Sequence, residues 1–440
     1  MPYEREMLAW AGQNWEAARR NFRDIEEALR QSDLCYKGRC VQTLAAPKIF
    51  SKADADRMEA FIGQCFTVFN KVIGRYLADP AYRRLFPFSA ALEQLILRSP
   101  AFGRNIPMAR IDFFFDEETK EIKLCEVNTD GASAMNEDRI LVELLPRSRA
   151  FRQFSAGKKF TSYELFDSWA HTFLALYREF SHSEKKPTAA IVDFMDRATL
   201  PEFRRFAQAF ERAGMPALIC DIRELQYKNG RLLAPDGTAI DAVYRRAVTT
   251  DILARIDEAG PFLESVGNVC IVGGFRSQII HNKILFHILH REETLAFLNE
   301  GERGFVRAHV PRTYPLNLAA AEEHDLFAAK DKWIIKPEDQ YGSRGVYAGR
   351  DVPPDEWRRL VEASAGVEYL FQEYCTPYRS PNIDFSEAEP MERLFSNITG
   401  VFCYNEQPRG LYSRLSKGGV ISSQYDEKTV ATLVCGSDTI

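Results

Sequence analysis

Apolar and polar positions change their period along this chain, and the changes divide it. Up to about residue 100, apolar residues recur at three- and four-residue steps. Trp15, Ala18, Phe22, Ile25 and Leu29 follow this spacing, and Ala53 to Leu77 repeats it. Such spacing lays the apolar side chains along one helix face, so this segment is expected to be helical. Pro80, Pro87 and Pro100 should break it into short pieces. No chemistry beyond packing is visible there, which makes the segment a scaffold or a substrate rim.

From Ala109 the texture turns to β. Ala109–Phe115 and Ile122–Asn128 read as two strands joined by the charged turn Asp116–Glu121, a hairpin with a long loop. Asp130–Glu137 is a loop leading into a helix near Arg139–Leu145. Between about 160 and 290, strand and helix signals alternate. Strands are expected at Thr188–Phe194, Ala217–Asp221, Ala242–Arg246 and Asn268–Val272, with a helix over Pro201–Ala213 and another from Asp251. Leu225–Leu233 is a hairpin turning at Asn229-Gly230. Alternation of this kind predicts an open, doubly wound α/β layer. A helix is expected over Asn282–Leu298.

Trp333–Lys336 then reads as a short buried strand ending in a cation. A small-residue turn, Gly342-Ser343-Arg344-Gly345, follows, and Val346-Tyr347-Ala348 begins a second strand. The helix Pro354–Ser364, the strand Tyr369–Tyr374 and a β-rich tail over Asn397–Val434 complete the pattern. The expected division is 1–104 (helical), 105–160 (carboxylate-bearing strands), 161–290 (α/β), 291–375 (the glycine-turn unit) and 376–440 (a return to β).

Composition narrows the function classes. The 440 residues have a formal net charge of −5, 45% hydrophobic and 27% charged content, ordinary for a globular protein. With no basic excess to neutralise phosphates, a nucleic-acid partner is not expected. No apolar run is long enough to span a bilayer, and Met1–Met7 runs straight into an amphipathic charged segment, so no membrane association is expected. The nine cysteines are scattered and form no Cys-x-x-Cys. Reduced thiols in a cytoplasmic protein are the simplest account, with Cys35 and Cys40 the closest pair.

The chemistry concentrates in a few places. A lysine at a strand end beside a glycine-rich turn suits a nucleotide polyphosphate, because backbone N–H groups can approach the oxygens and the cation offsets their charge. Alone, the same stretch reads better as an ordinary β-hairpin with a glycine turn, and the rest of the chain is what favours the nucleotide. Glu126 and Asn128 lie two apart on one strand and share a face, as do Arg110 and Asp112 on the preceding strand. If the hairpin pairs residues whose numbers sum to an even value, all four point the same way. Asp112, Glu126 and Asn128 would then suit Mg²⁺, with Arg110 beside them; surface salt bridging is the plainer alternative. The interleaved Ile111, Phe113, Leu124 and Val127 favour a polar face lining a cleft.

Lys283 starts a helix, where a cation sits badly unless an anion shares the site. Gln372-Glu373 ends a strand and could face an adenine, or solvent. Arg414–Gly419 places two cations around small residues. Tyr244-Arg245-Arg246 ends an α/β strand, where open sheets bind ligands, and at most one of its arginines is expected to reach a substrate. The histidines form no metal-type cluster, and His287 and His290, without acidic partners, are expected to take packing or surface roles.

Arg110-x-Asp112, Glu126-x-Asn128, Asn282-Lys283, Ile335-Lys336-Pro337 with Tyr341-Gly-Ser-Arg-Gly345, Gln372-Glu373 and Arg414, in that order, resemble the circularly permuted ATP-grasp ligases, and among them the glutathionylspermidine-synthase-like group. The resemblance covers roughly residues 105–435 and lies in the ordered set. It implies an α/β ATP-grasp fold with an open α/β domain beside it and a helical N-terminal segment. ATP and Mg²⁺ are the implied cofactors. Asp112, Glu126 and Asn128 would bind the metal, and Lys283 and Lys336 the ATP phosphates. Gly342, Ser343, Arg344 and Gly345 would close over those phosphates, and Gln372 and Glu373 would meet the base. Arg110 and Arg414 would stabilise the transferring phosphoryl group. The implied reaction joins a small-molecule or peptide carboxylate to an amine through an acyl phosphate, forming ADP. A small-molecule kinase and a nucleotide-binding regulatory module without turnover are the rival readings.

Overall fold

The computed structural model describes residues 2–36, 39–98, 104–340, 342, 344–422 and 426–436. The break expected at Pro100 and the loop residue Ser343 lie outside the described residues.

The chain is built around an antiparallel sheet in which Lys428–Val430, Gln407–Ser416, Glu392–Tyr404, Met108–Phe115 and Ile122–Asn128 are neighbours in that order. Arg379–Ile383 adds to the outer part of Glu392–Tyr404. Side chains alternate across the sheet. Ile111, Phe113, Leu124, Val127 and Val401 project to one side, into the main core. There they meet the long helix Lys52–Ala78, with the rings of Phe61 and Phe113 5.3 Å apart. The opposite face is the polar one.

The α/β layer forms as its apolar runs predict. Ala189–Asp193 lies parallel between Ala217–Asp221 and Ala242–Arg245, and Cys270–Val272 pairs on the far side of the latter. Strands buried on both faces read as continuous apolar runs. Ile191 and Tyr244 face the helices Phe166–Ser181 and Leu200–Arg212 through Trp169, Phe173, Phe206 and Phe210. Ala190, Val192 and Val243 face the main core on the other side.

A second antiparallel sheet, Thr313–Pro315, Tyr369–Glu373, Trp333–Pro337 and Tyr347–Ala348, has its own core around Trp333, Trp357 and Phe371. The helix Pro354–Ser364 covers it, as the sequence predicts.

Three elements differ from the sequence pattern. Residues 282–298 are not one helix but follow Gln278–His281 as two short ones, Ile284–Leu289 and Glu292–Leu295. Asn282 is extended, and its side-chain oxygen accepts from the Ile284 N–H, so it breaks the run where a continuous pattern predicted none. The N-terminal region is not wholly helical: Lys48–Ser51 pairs in parallel with Thr432–Cys435, tying the two ends of the chain together. Cys35 and Cys40, expected as free thiols, are joined as a disulfide, because a two-residue ladder sets them opposite each other with Cα atoms 4.0 Å apart. Among the described residues, no helix is long and apolar enough to cross a membrane.

Candidate active site

The hairpin register decides the geometry of the polar face. Asp112 pairs with Glu126 and Arg110 with Asn128, so all four side chains emerge on one side of the sheet. The next strand places Gly400 opposite Asp112, and the strand beyond it places Tyr412 opposite Gly400. A Cβ at Gly400 would lie 2.5 Å from Asp112 Oδ1. The bare backbone there leaves a gap through which Arg414 reaches back to Asp112, Nη2 to Oδ2 at 2.6 Å.

Asp112 is therefore the centre of a buried charge cluster. Arg110 clasps it through Nε and Nη2 at 2.7 and 2.9 Å, and Asn128 Nδ2 donates to it at 3.2 Å. Burial pushes its carboxyl up, against the opposing pull of Arg110 and Arg414. Glu126 behaves oppositely. Burial would raise it, but Lys283, Arg414 and Arg110 together hold it well below the usual carboxylate range. Asn128 Nδ2 also reaches Glu126 Oε1, at 3.2 Å.

Two cavities meet at this cluster. One lies between the central sheet and the Trp333–Pro337 sheet, lined by Phe114, Leu124, Ile334, Ile398 and Ile421 with Lys336, Gln372 and Glu373 among them. The other is polar and runs along the loop after Asn128 to Glu137, Tyr412 and Glu427. Glu126, Lys283, Gln340 and Arg414 line both, so the two form one trench.

Lys336 Nζ donates to Gln372 Oε1 at 2.8 Å, and Gln372 in turn donates to Thr313. Burial lowers the Lys336 ammonium to about 8, with Lys283 adding to the effect. Lys283 Nζ donates to the Gln340 carbonyl at 3.0 Å. Gly342 lines the polar cavity, and both Gly342 and Gly345 have positive φ, as a tight turn requires. Arg344 is exposed and borders a separate depression with Asp339 and Glu368. The Glu373 side chain accepts from the Arg312 backbone N–H.

Asp112, Glu126 and Asn128 are oxygen donors of the kind a hard divalent cation takes. Glu126 and Asn128 open onto the trench, whereas Asp112 is fully buried and committed to the two arginines. Among the described residues, no group of three or more His, Cys, Asp or Glu side chains could hold a metal ion; this set has two carboxylates and an amide.

Neither Arg245 nor Arg246 reaches the trench: each is spent in an internal ion pair, with Asp130 and with Glu202. His287 and His290 bond the carbonyls of Thr313 and Val310, the packing role among the two expected of them. Sequence reasoning missed Gln340, His281, Glu137, Tyr412 and Glu427 as lining residues. Tyr412 was within reach, since it lies two before Arg414 on one strand face. Nothing local marks the others.

No family model and no curated protein matches the sequence. Solved structures do match. A glutathione synthetase-like effector from Globodera pallida, in apo form, shares 12% identity over 94% of this chain and 96% of its own, with a TM-score of 0.60. A putative gamma-glutamylcysteine synthetase from Methylobacillus flagellatus KT shares 9% identity over 87% and 89%, with a TM-score of 0.42. D-alanyl-alanine synthetase A from Vibrio cholerae covers 56% of this chain and 88% of its own at 12% identity and a TM-score of 0.29. The chain has a mixed α/β fold of the ATP-grasp kind, with the carboxylate hairpin and the lysine strand on facing sheets.

Proposed function

We propose that this chain is an ATP-dependent carboxylate–amine ligase, forming ADP, of the glutathionylspermidine-synthase-like permuted kind. The observation behind this reading is the single trench, apolar at one end and polar at the other, joined where Glu126, Lys283 and Arg414 line both parts. An adenine fits the apolar end, beneath Lys336 and beside the Glu373 strand end. The triphosphate would then run toward Lys283 and the Gly342–Gly345 turn, placing its terminal phosphoryl group where Glu126, Lys283 and Arg414 meet.

Glu126 and Asn128, joined by Asp112 if an arginine gives way, would hold Mg²⁺, which offsets phosphate charge during transfer. Arg110 and Arg414 stand on the polar side of that point, where a carboxylate substrate would receive the phosphoryl group. Their guanidinium charges favour the anionic transition state. The amine would enter along the polar cavity and displace phosphate from the acyl phosphate, giving the amide.

The test is a panel of carboxylates and amines incubated with ATP and Mg²⁺, read by ADP release. The carboxylate of any productive pair is then labelled with ¹⁸O. A ligase delivers one label to inorganic phosphate for each ADP formed. A kinase forms ADP with phosphate retained on its product, and a binding module forms none. Unlabelled phosphate from an amine-dependent reaction would rule out the acyl phosphate route.

A further inference from the structure

The loop between Asn128 and the helix Met135–Leu144 forms a wall of the polar cavity. Its backbone is gripped from behind by the α/β layer. Arg245, the last residue of its strand, places Nη2 2.7 Å from Asp130 Oδ1, with both side chains almost fully buried. The other Asp130 oxygen accepts from the Thr249 N–H at 2.6 Å.

Arg246 makes the second grip. Its Nη1 donates to the Ala132 carbonyl and its Nη2 to Glu202 Oε1 at 3.1 Å. The other oxygen of Glu202 accepts from the N–H groups of Ala134, at 3.1 Å, and Asn136, at 3.4 Å. Two features show how closely the loop is held. A Cβ at Gly131, which has positive φ, would lie 2.8 Å from the Arg246 carbonyl oxygen. Ala134 sits at φ +83, a left-handed conformation that a non-glycine residue keeps only when its surroundings impose it.

The loop ends this chain of contacts in the trench. The Ser133 carbonyl accepts from Arg110 Nη1 at 2.9 Å, while the other edge of the guanidinium is engaged by Asp112. Arg110 is thus fixed on one side by its own sheet and on the other by a carbonyl whose place is set from the α/β layer.

We propose that Glu202, Arg245 and Arg246 are positioning residues for the substrate side of the cleft. Through Asp130 and the Ala132–Asn136 backbone they hold the Ser133 carbonyl, and through it the guanidinium of Arg110. The proposal rests on the ligase reading of the trench only for what Arg110 does there. The Arg245–Arg246 pair ends a strand at the ligand-binding edge of an open sheet, yet it shapes the site without touching what binds.

Glu202→Gln tests this. An amide can still accept from the Ala134 and Asn136 N–H groups, but its NH₂ would face the Nη2 donor of Arg246, so the bond that ties Arg246 to residue 202 is lost and the guanidinium is pushed off its place on the Ala132 carbonyl. With a productive substrate pair, kcat should fall on the order of tenfold to a hundredfold, because misplacing a positioned group by about an ångström costs that much. ATP affinity, read by thermal shift, should stay within about twofold, since the loop does not line the apolar cavity. A crystal structure of the variant should show Ser133 and Arg110 displaced.

A lower melting temperature with kcat unchanged would mean that the pairs only brace the fold, and would overturn the proposal. So would an Arg110–Ser133 contact that survives in the variant crystal. Should Glu202→Gln fail to fold, Arg246→Lys, which keeps the charge but cannot span both partners, is read the same way. If the wild-type chain releases no ADP with any pair, the ligase reading fails, while the crystal structures still decide the positioning.

Discussion

Asp112 and Glu126 stand directly opposite each other across the hairpin, two carboxylates in adjoining strands with opposite surroundings. Like charges so placed repel unless cations lie between them. Arg110 and Arg414 serve Asp112, and Lys283 leads the pull on Glu126. Only Glu126 faces the trench.

That asymmetry gives the two carboxylates different consequences when each is replaced. Glu126→Gln should abolish turnover in a steady-state assay and also lower the melting temperature at neutral pH, because Lys283, Arg414 and Arg110, which hold the Glu126 carboxyl low in the folded state, lose its charge. Asp112→Asn should unfold the protein more readily, by about 3–5 kcal/mol, because it leaves two buried arginines short of a partner. Urea melts of the two variants check this. Turnover that survives in Glu126→Gln would contradict the assignment.

Lys336 predicts a pH dependence. Its folded value of about 8 lies below its ordinary 10.5, chiefly through burial. Its ammonium therefore weakens the native state at neutral pH, an effect fully present below pH 8 and shed as the pH rises through about 8 to 10.5. Arriving phosphates favour the charged form. Nucleotide affinity should be flat below pH 8 and fall above it, approaching tenfold per pH unit. Lys336→Met should lose at least tenfold in affinity at pH 7, flatten that alkaline slope, and leave the melting temperature unchanged or higher. Calorimetric titration with an ATP analogue from pH 6.5 to 9.5 gives the answer.

The sheet that bears Lys336 depends on its small core. Trp357 is buried against Val361 and Phe371, and its Nε1 donates to the Leu326 carbonyl at 2.9 Å. Trp357→Ala should cost about 3–5 kcal/mol. Because this core is distinct from the main one, amide exchange should rise first in residues 313–373 and reach the central sheet later.

Local pattern carried the sequence reading a long way. Alternation between Ile111, Phe113 and the polar Arg110 and Asp112 fixed which face of the hairpin is wet. The apolar runs at Ala189–Asp193 and Ala242–Arg245 marked parallel strands, and Lys336 and the glycine turn stood out by type. What escaped depends on contacts far apart in the chain. Arg245 and Arg246 look like ligand-binding groups until Asp130 and Glu202 are seen to take them up. Asn282 reads as one more helical residue until its side chain caps Ile284. The Cys35–Cys40 pairing needed a ladder that two residues a side do not announce.

Gly400 is the sharpest case, since nothing beside it in the sequence marks it. It lies mid-strand, where glycine weakens a sheet by offering no side chain to pack. Its place opposite Asp112 explains it: a methyl group there would press on Asp112 Oδ1 and on Arg110 Cδ, 3.1 Å away. Neither can retreat easily, for Asp112 is fully buried and Arg110 is held by Ser133. Gly400→Ala should therefore destabilise the protein by about 1–3 kcal/mol through overpacking, despite alanine's better strand entropy. It should also part Arg414 from Asp112 and lower kcat more than it weakens ATP binding. Replacing the glycine in an Asp112→Ala background, where the oxygen is gone, should restore part of the stability difference. A double-mutant cycle measured by urea unfolding would show that coupling, and additive effects would mean that Gly400 acts through the strand backbone alone.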